Sequence, residues 1–259
     1  MLLLRPLLPR HRTPRHNTKW HLNKALTASL FGLCMSLTTA YSFAATPKPP
    51  HQNWSFEGPF GTFEPASLQR GFMVYEHVCS ACHGMRSLTY NDLLGIGLTQ
   101  HTISDLAHSK EFAGPLDEDG QPTTRPGTPE DHFKAPFPTE AAAAAMMGGI
   151  APPDQSRLAL LHPQGADWLY AFLTGYHVPS PTGVPAVPGK FYNDWAAGHW
   201  VGMPPPLVKG ALTYPDGTPA TVEPQAKDIT TFLVWASEPH PTARHPICLF
   251  YPSPSPRHR

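Results

Sequence analysis

The run Cys79-Ser80-Ala81-Cys82-His83 constrains this chain more than any other feature of it. Two thiols a helical turn apart, with an imidazole directly after the second, form the C-x-x-C-H pattern of a c-type haem attachment site. The thiols can add to both vinyl groups of one porphyrin, and the adjacent histidine then faces the iron as its proximal ligand. Three other readings compete. A redox dithiol needs a thioredoxin-like βαβ setting and a zinc site needs a second Cys/His pair, neither of which the sequence offers; a chance match is the third.

The cellular setting agrees with covalent haem. Residues 1–44 hold six bases (Arg5, Arg10, Arg12, Arg15, Lys19, Lys24) and no acid. An apolar run from Ala25 to Ala40 follows, then Ser42-Phe43-Ala44, with small residues at the two positions a signal peptidase reads. The expectation is a secretory signal over 1–44, cut after Ala44. An uncleaved membrane anchor competes, because no charge falls between Lys24 and Lys48. Leu33 is too large to precede a lipoprotein Cys34. The mature chain then holds Cys79, Cys82 and Cys248, and an odd count in an exported protein excludes a pure disulfide framework.

Composition narrows the fold and the partners. With 33 prolines and 15% charged residues the chain is neither a coiled coil nor a long helical array. Its 259 residues, 41% hydrophobic, suffice for one large domain or two small ones. Beyond residue 44 there are 13 bases against 19 acids. Such a body binds nucleic acid poorly and suits a basic protein partner. Acids gather at Asp117-Glu118-Asp119 and Glu130-Asp131, in expected loops. They are either ordinary solvated surface or a docking face for a basic protein.

A helix leads into the haem box. Glu64-Pro65 suits a helix start, and Leu68, Phe72, Tyr75 and Cys79 then share one face. Gly71 in mid-helix implies close approach by another helix. Its natural partner lies within Gln225–Ser237, where Ala226, Ile229, Phe232, Leu233 and Ala236 repeat at helical spacing. Two terminal helices crossing over a haem make an all-α cytochrome c fold. The second axial position decides between electron transfer and ligand chemistry. Met85 is too near His83 to reach the opposite face of the haem, and Met146 and Met147 end a short helix where packing is their default role. Met203, in Gly202-Met203-Pro204-Pro205-Pro206, sits in a proline-stiffened loop that could hold a thioether in place; His199 is next in order.

Several segments together resemble cytochrome c1 in order and spacing, over about residues 53–244. They are Trp54-Ser55-Phe56-Glu57-Gly58, Phe60-Gly61-Thr62-Phe63, Leu68-Gln69-Arg70-Gly71-Phe72, the haem box, and Pro152-Pro153-Asp154. Leu173-Thr174-Gly175-Tyr176, Gly202-Met203-Pro204-Pro205 and Asp216-Gly217-Thr218-Pro219-Ala220-Thr221 follow, then Ala226-Lys227-Asp228 and Phe232 to Pro239. The resemblance implies a mainly α, class I cytochrome c-like domain over 45–239 with long irregular insertions at about 98–165 and 177–200. It also implies one covalent haem c held by Cys79 and Cys82, with His83 and Met203 on the iron. By the same resemblance the haem takes an electron from a Rieske iron–sulfur subunit and passes it to a soluble cytochrome c. The chain would serve beside cytochrome b as an electron-carrying subunit of ubiquinol–cytochrome c reductase, not catalytic alone. Its place would be the periplasmic side of a bacterial inner membrane. A free periplasmic mono-haem shuttle is the alternative, and an open-iron haem enzyme or gas sensor a third.

Two departures from the family stand out. After Pro152-Pro153-Asp154 the family has leucine and serine, then a basic residue facing a haem propionate; here Gln155 and Ser156 follow, with Leu160 and His162 in that stretch. Arg157 is the nearest arginine, equally readable as a solvated residue at a helix start. The family also continues beyond Arg244 into a membrane-spanning helix. Residues 240–259 here are a Pro-rich tail whose longest apolar run is Ile247 to Tyr251, short of the ~20 residues a span needs. The expectation is a shifted reading frame or a divergent end in which the anchor is lost; if the tail is genuine, an uncleaved Ala25–Ala44 segment or partner subunits must hold the chain at the membrane, and Cys248 is a free thiol.

Overall fold

Helix α1 (Pro65–His77) starts where the proline expects it to, with Pro65 at the first helical position after an extended Glu64. A computed structural model describes residues 48–238 of the chain. The expected export signal, the Pro-rich tail, Cys34 and Cys248 lie outside the described residues. Leu68, Phe72 and Tyr75 are buried on one face of α1, as their spacing requires. The helix stops at His77, two residues short of the end of the expected stripe at Cys79. Val78 leaves helical geometry, and Cys79–Ala81 form a tighter 3₁₀ turn that begins at the first cysteine.

The partner helix is α6 (Val222–Ser237), which begins slightly earlier than its apolar pattern because Pro224 is tolerated in a first turn. Ala226, Ile229, Phe232, Leu233 and Ala236 are all buried. The two helices cross at Gly71, where a β-carbon would stand 2.1 Å from the Asp228 carbonyl oxygen and 2.7 Å from the Phe232 Cβ. Polar bonds fix the crossing. Arg70 donates from Nε to Asp228 Oδ2 at 2.8 Å and from Nη1 to Asp216 Oδ2 at 2.8 Å, while the Ser67 hydroxyl donates to Asp228 Oδ1 at 2.6 Å. Aromatic rings fill the space beneath: Phe232 lies 5.7 Å from Phe72 and 6.0 Å from Tyr75, and Phe133 stacks on Tyr90 at 4.8 Å.

Shorter elements surround this pair. A 3₁₀ segment (Tyr90–Ile96) opens on a capping box made by Thr89 and Asp92, and α2 (Gln100–His108) is capped by the Thr99 side chain. Strands β1 (Glu111–Leu116) and β2 (Pro122–Pro126) form an antiparallel hairpin. Helices α3 (Glu140–Met146), α4 (Leu158–Leu161) and α5 (Gly165–Thr174) follow, the last packed on α6. A small antiparallel sheet in the order β3 (Tyr176–His177), β4 (Phe191–Asn193), β5 (Trp200–Val201) precedes the Met203 loop. The short helix expected to end at Met146 and Met147 is present as α3. The hairpin, α2 and the three-stranded sheet lie in stretches expected to be irregular. Among the described residues no helix is long and apolar enough to cross a membrane.

Candidate functional site

The turn after α1 gathers three of the four expected site residues. The amides of Cys82 and His83 both donate to the Cys79 carbonyl, at 3.1 and 2.9 Å, so both thiols and the imidazole project from one tight turn. Neither thiol is in a disulfide. Burial pushes the Cys79 thiol up to about 12, with the Gln155 side chain acting weakly in the other direction, so the sulfur is held protonated. Cys82 lies at the wall of a cavity of about 250 Å³ bounded by Pro136–Glu140 and Ala151–Asp154.

His83 is buried and its ring is anchored. Nδ1 donates to the Pro153 carbonyl oxygen at 2.8 Å, which makes Nδ1 the protonated nitrogen and leaves the Nε2 lone pair free. No protein group among the described residues engages Nε2. Burial lowers the imidazole's basicity, partly offset by the Pro153 carbonyl and Asp154, which keeps the ring neutral as a ligand must be.

The anchor is itself stitched to the haem box by a set of hydrogen bonds between two irregular segments. Gln155 donates its amide to the Gly84 carbonyl at 2.8 Å, and the Arg86 amide donates to Asp154 Oδ2 at 3.0 Å. The Ser87 amide donates to Ser156 Oγ at 2.9 Å, and Tyr75 sends its hydroxyl to the His83 carbonyl at 3.3 Å. These partners are absent from the site as read in the sequence. The Pro-Pro-Asp motif marked the segment, but nothing in it announced that a carbonyl would orient the imidazole.

Met203 comes from a separate segment. It is half-buried in a bend after β5, and the prolines behind it lead to Leu207, which is in the core with Tyr75 and Met85. The other candidates have different surroundings. Met85 is fully buried, whereas Met146 is 73% exposed. His199 has a left-handed backbone (φ 62°), stacks on Tyr192 at 5.3 Å and points Nδ1 at the Asn193 carbonyl. Arg157 sits exposed at the start of α4 and makes no capping bond there, and His162 stacks on Trp168 at 4.0 Å.

Comparison with known proteins decides the lineage. The sequence model of the Cytochrome C1 family matches residues 54–251. The chain belongs to the cytochrome c1 family. It is 42% identical over 214 residues to cytochrome c1 of Rhodospirillum rubrum, covering 76% of this chain and 78% of that one. It is 40% identical over 190 residues to the mitochondrial cytochrome c1 haem protein of Saccharomyces cerevisiae, covering 73% of this chain and 62% of that one. Cytochrome b/c1 of Bradyrhizobium diazoefficiens is 40% identical over 231 residues, and the match spans 34% of that longer protein. Cytochrome c1 proteins carry one covalently bound haem c. The donor set of this chain fits that group: two unpaired thiols on one turn, and a neutral, oriented imidazole with a free Nε2.

Proposed function

We propose that this chain is the haem c-bearing electron-transfer subunit of a ubiquinol–cytochrome c reductase, taking an electron from a Rieske iron–sulfur protein and passing it to a soluble cytochrome c. The observation that carries this reading is the His83 imidazole, pinned through Nδ1 to the Pro153 carbonyl one residue after a free Cys-x-x-Cys pair. When bound, haem c supplies a one-electron iron couple. The protein's part is to hold and tune it. Cys79 and Cys82 would tether the cofactor through their thiols, and His83 through Nε2 and Met203 through its thioether would be the ligands of its iron. A thioether and an imidazole together as ligands would raise the reduction potential and keep oxygen off the metal.

In this reading residues 45–239 form a class I cytochrome c-like, mainly α domain with inserted loops, preceded by a signal over 1–44 and followed by an atypical tail over 240–259. The domain faces the periplasm at the inner membrane, with cytochrome b and the Rieske protein as its fixed partners. Family membership and the Rhodospirillum relative support that location.

Visible spectra of membrane and soluble fractions, for the natural chain and for Met203→Ala, test the proposal. The expected result is a low-spin haem c in the membrane fraction. Met203→Ala should retain the covalent haem, bind carbon monoxide when reduced and have a lower potential. A variant with an unchanged spectrum and no carbon monoxide binding contradicts the ligand assignment. Haem confined to the soluble fraction favours the free periplasmic shuttle.

A further inference from the structure

We infer that His199 is a positioning residue that, bonded to the buried Asn193, closes the turn before β5 and fixes the loop carrying the Met203 thioether; this rests on the reading of Met203 as an iron ligand. Strand β5 ends at Val201, two residues before Met203, and its partner in the sheet is β4. The pairing is Phe191 with Val201 and Tyr192 with Trp200, too few rungs to hold an edge strand unaided. The bonds that complete it meet at Asn193, which is 0% exposed. Its side-chain Nδ2 donates to the Phe172 carbonyl at 2.7 Å, one of the last-turn carbonyls of α5 that no helical amide reaches. Oδ1 accepts from the Trp195 amide at 2.9 Å, and the Asp194 amide donates to the Gly175 carbonyl at 3.0 Å. The turn is thereby hung on the end of α5, which packs on α6.

His199 closes that turn from the other side. The Asn193 amide donates to the His199 carbonyl at 2.8 Å, and His199 Nδ1 donates back to the Asn193 carbonyl at 3.2 Å. Its ring lies nearly parallel to that of Tyr192, at 5.3 Å and 9°. The backbone there takes φ 62°, the left-handed region that strains a residue with a β-carbon and suits glycine. Among the described residues His199 is the one non-glycine in that region. Glycine would fit the turn with less strain, but it could neither bond Asn193 nor stack on Tyr192. Strain of this kind persists where surrounding contacts over-determine the conformation, and it gathers beside functional sites. Here it lies four residues before the thioether. A sulfur on a loose loop must order that loop to bind a metal, and a competing ligand displaces it easily; a loop already fixed by folding lacks that penalty.

The test is a titration of the full matured, oxidised chain with imidazole, which competes for the methionine's place on the iron. The readout is the near-infrared charge-transfer band of methionine-ligated haem. His199→Gly keeps a residue suited to positive φ and removes only the side-chain lock. It should lose the methionine band at an imidazole concentration about fivefold lower than the natural chain, the worth of one net hydrogen bond. His199→Asn, which tolerates the left-handed region and carries an amide donor, should recover most of the difference. An asparagine variant no better than glycine overturns the Asn193 bond as the cause. A glycine variant whose imidazole midpoint equals or exceeds that of the natural chain overturns the inference outright, whatever its thermal stability. A natural chain that lacks the methionine band altogether sinks the Met203 reading instead, so the two failures are told apart.

Discussion

An imidazole free to rotate would be a poor fixed ligand, and the Pro153 carbonyl removes that freedom from His83. The same loop turns its acid, Asp154, toward the backbone of Arg86. Burial pushes the Asp154 carboxyl up, but bonds from Ser156 and Arg86 outweigh it and hold it below the usual carboxylate range. Asp167 behaves likewise: it accepts from the Gln52 amide at 2.9 Å and from Trp54 Nε1 at 2.8 Å, and these bonds with that of His51 override its burial. Because both folded-state values are depressed, the stability they contribute is complete above the unfolded carboxylate value of about 4 and is lost as pH falls through the folded values. Thermal melts should therefore be flat in this respect above about pH 5 and drop steeply below about pH 4. Asp154→Asn and Asp167→Asn together should blunt that drop, and an unchanged acid limb would contradict the assignment. Cys79, Cys82 and His83 could be read from the sequence because their chemistry is local. Pro153, Asp154 and Gln155 could not, since Pro153 meets its imidazole across 70 positions and a backbone carbonyl has no side-chain signature.

At the scale of elements, the α1–α6 crossing was foreseeable because a glycine inside an amphipathic helix leaves few explanations. A β-carbon at Gly71 would collide with helix backbone rather than with a movable side chain. Gly71→Ala should cost about 2–3 kcal/mol, overpacking exceeding the ~1 kcal/mol that alanine returns in helix propensity. Urea unfolding measures it, and a variant as stable as the natural chain would mean the helices do not meet here. The β1–β2 hairpin was hidden by Pro115, Pro122 and Pro126, which demote any strand pattern. Its turn is made by side-chain chemistry instead: Asp117 Oδ1 accepts from the amides of Asp119 and Gln121, and Gly120 takes φ 75°. The β3–β4–β5 strands are two or three residues each, too short for any alternation to register.

Taken as a whole molecule, the chain beyond residue 44 is acidic, and the structure sorts its acids by availability. Asp131 is held by Arg125 through two bonds of 2.6 Å, so its charge is largely spent internally. Glu118 and Asp119 stand exposed at the hairpin turn. Electron transfer to a basic soluble cytochrome should slow as ionic strength rises, with Glu118→Gln and Asp119→Asn reducing that dependence. A rate indifferent to salt removes steering by this surface. Covalent attachment of haem is tested by the mass of the denatured chain after an acid–acetone wash, made on material matured in a host competent for c-type cytochromes. The expected result is a chain heavier by one haem, with the added mass on the peptide carrying Cys79 and Cys82. A colourless polypeptide of bare mass, with its pigment in the solvent, would contradict it.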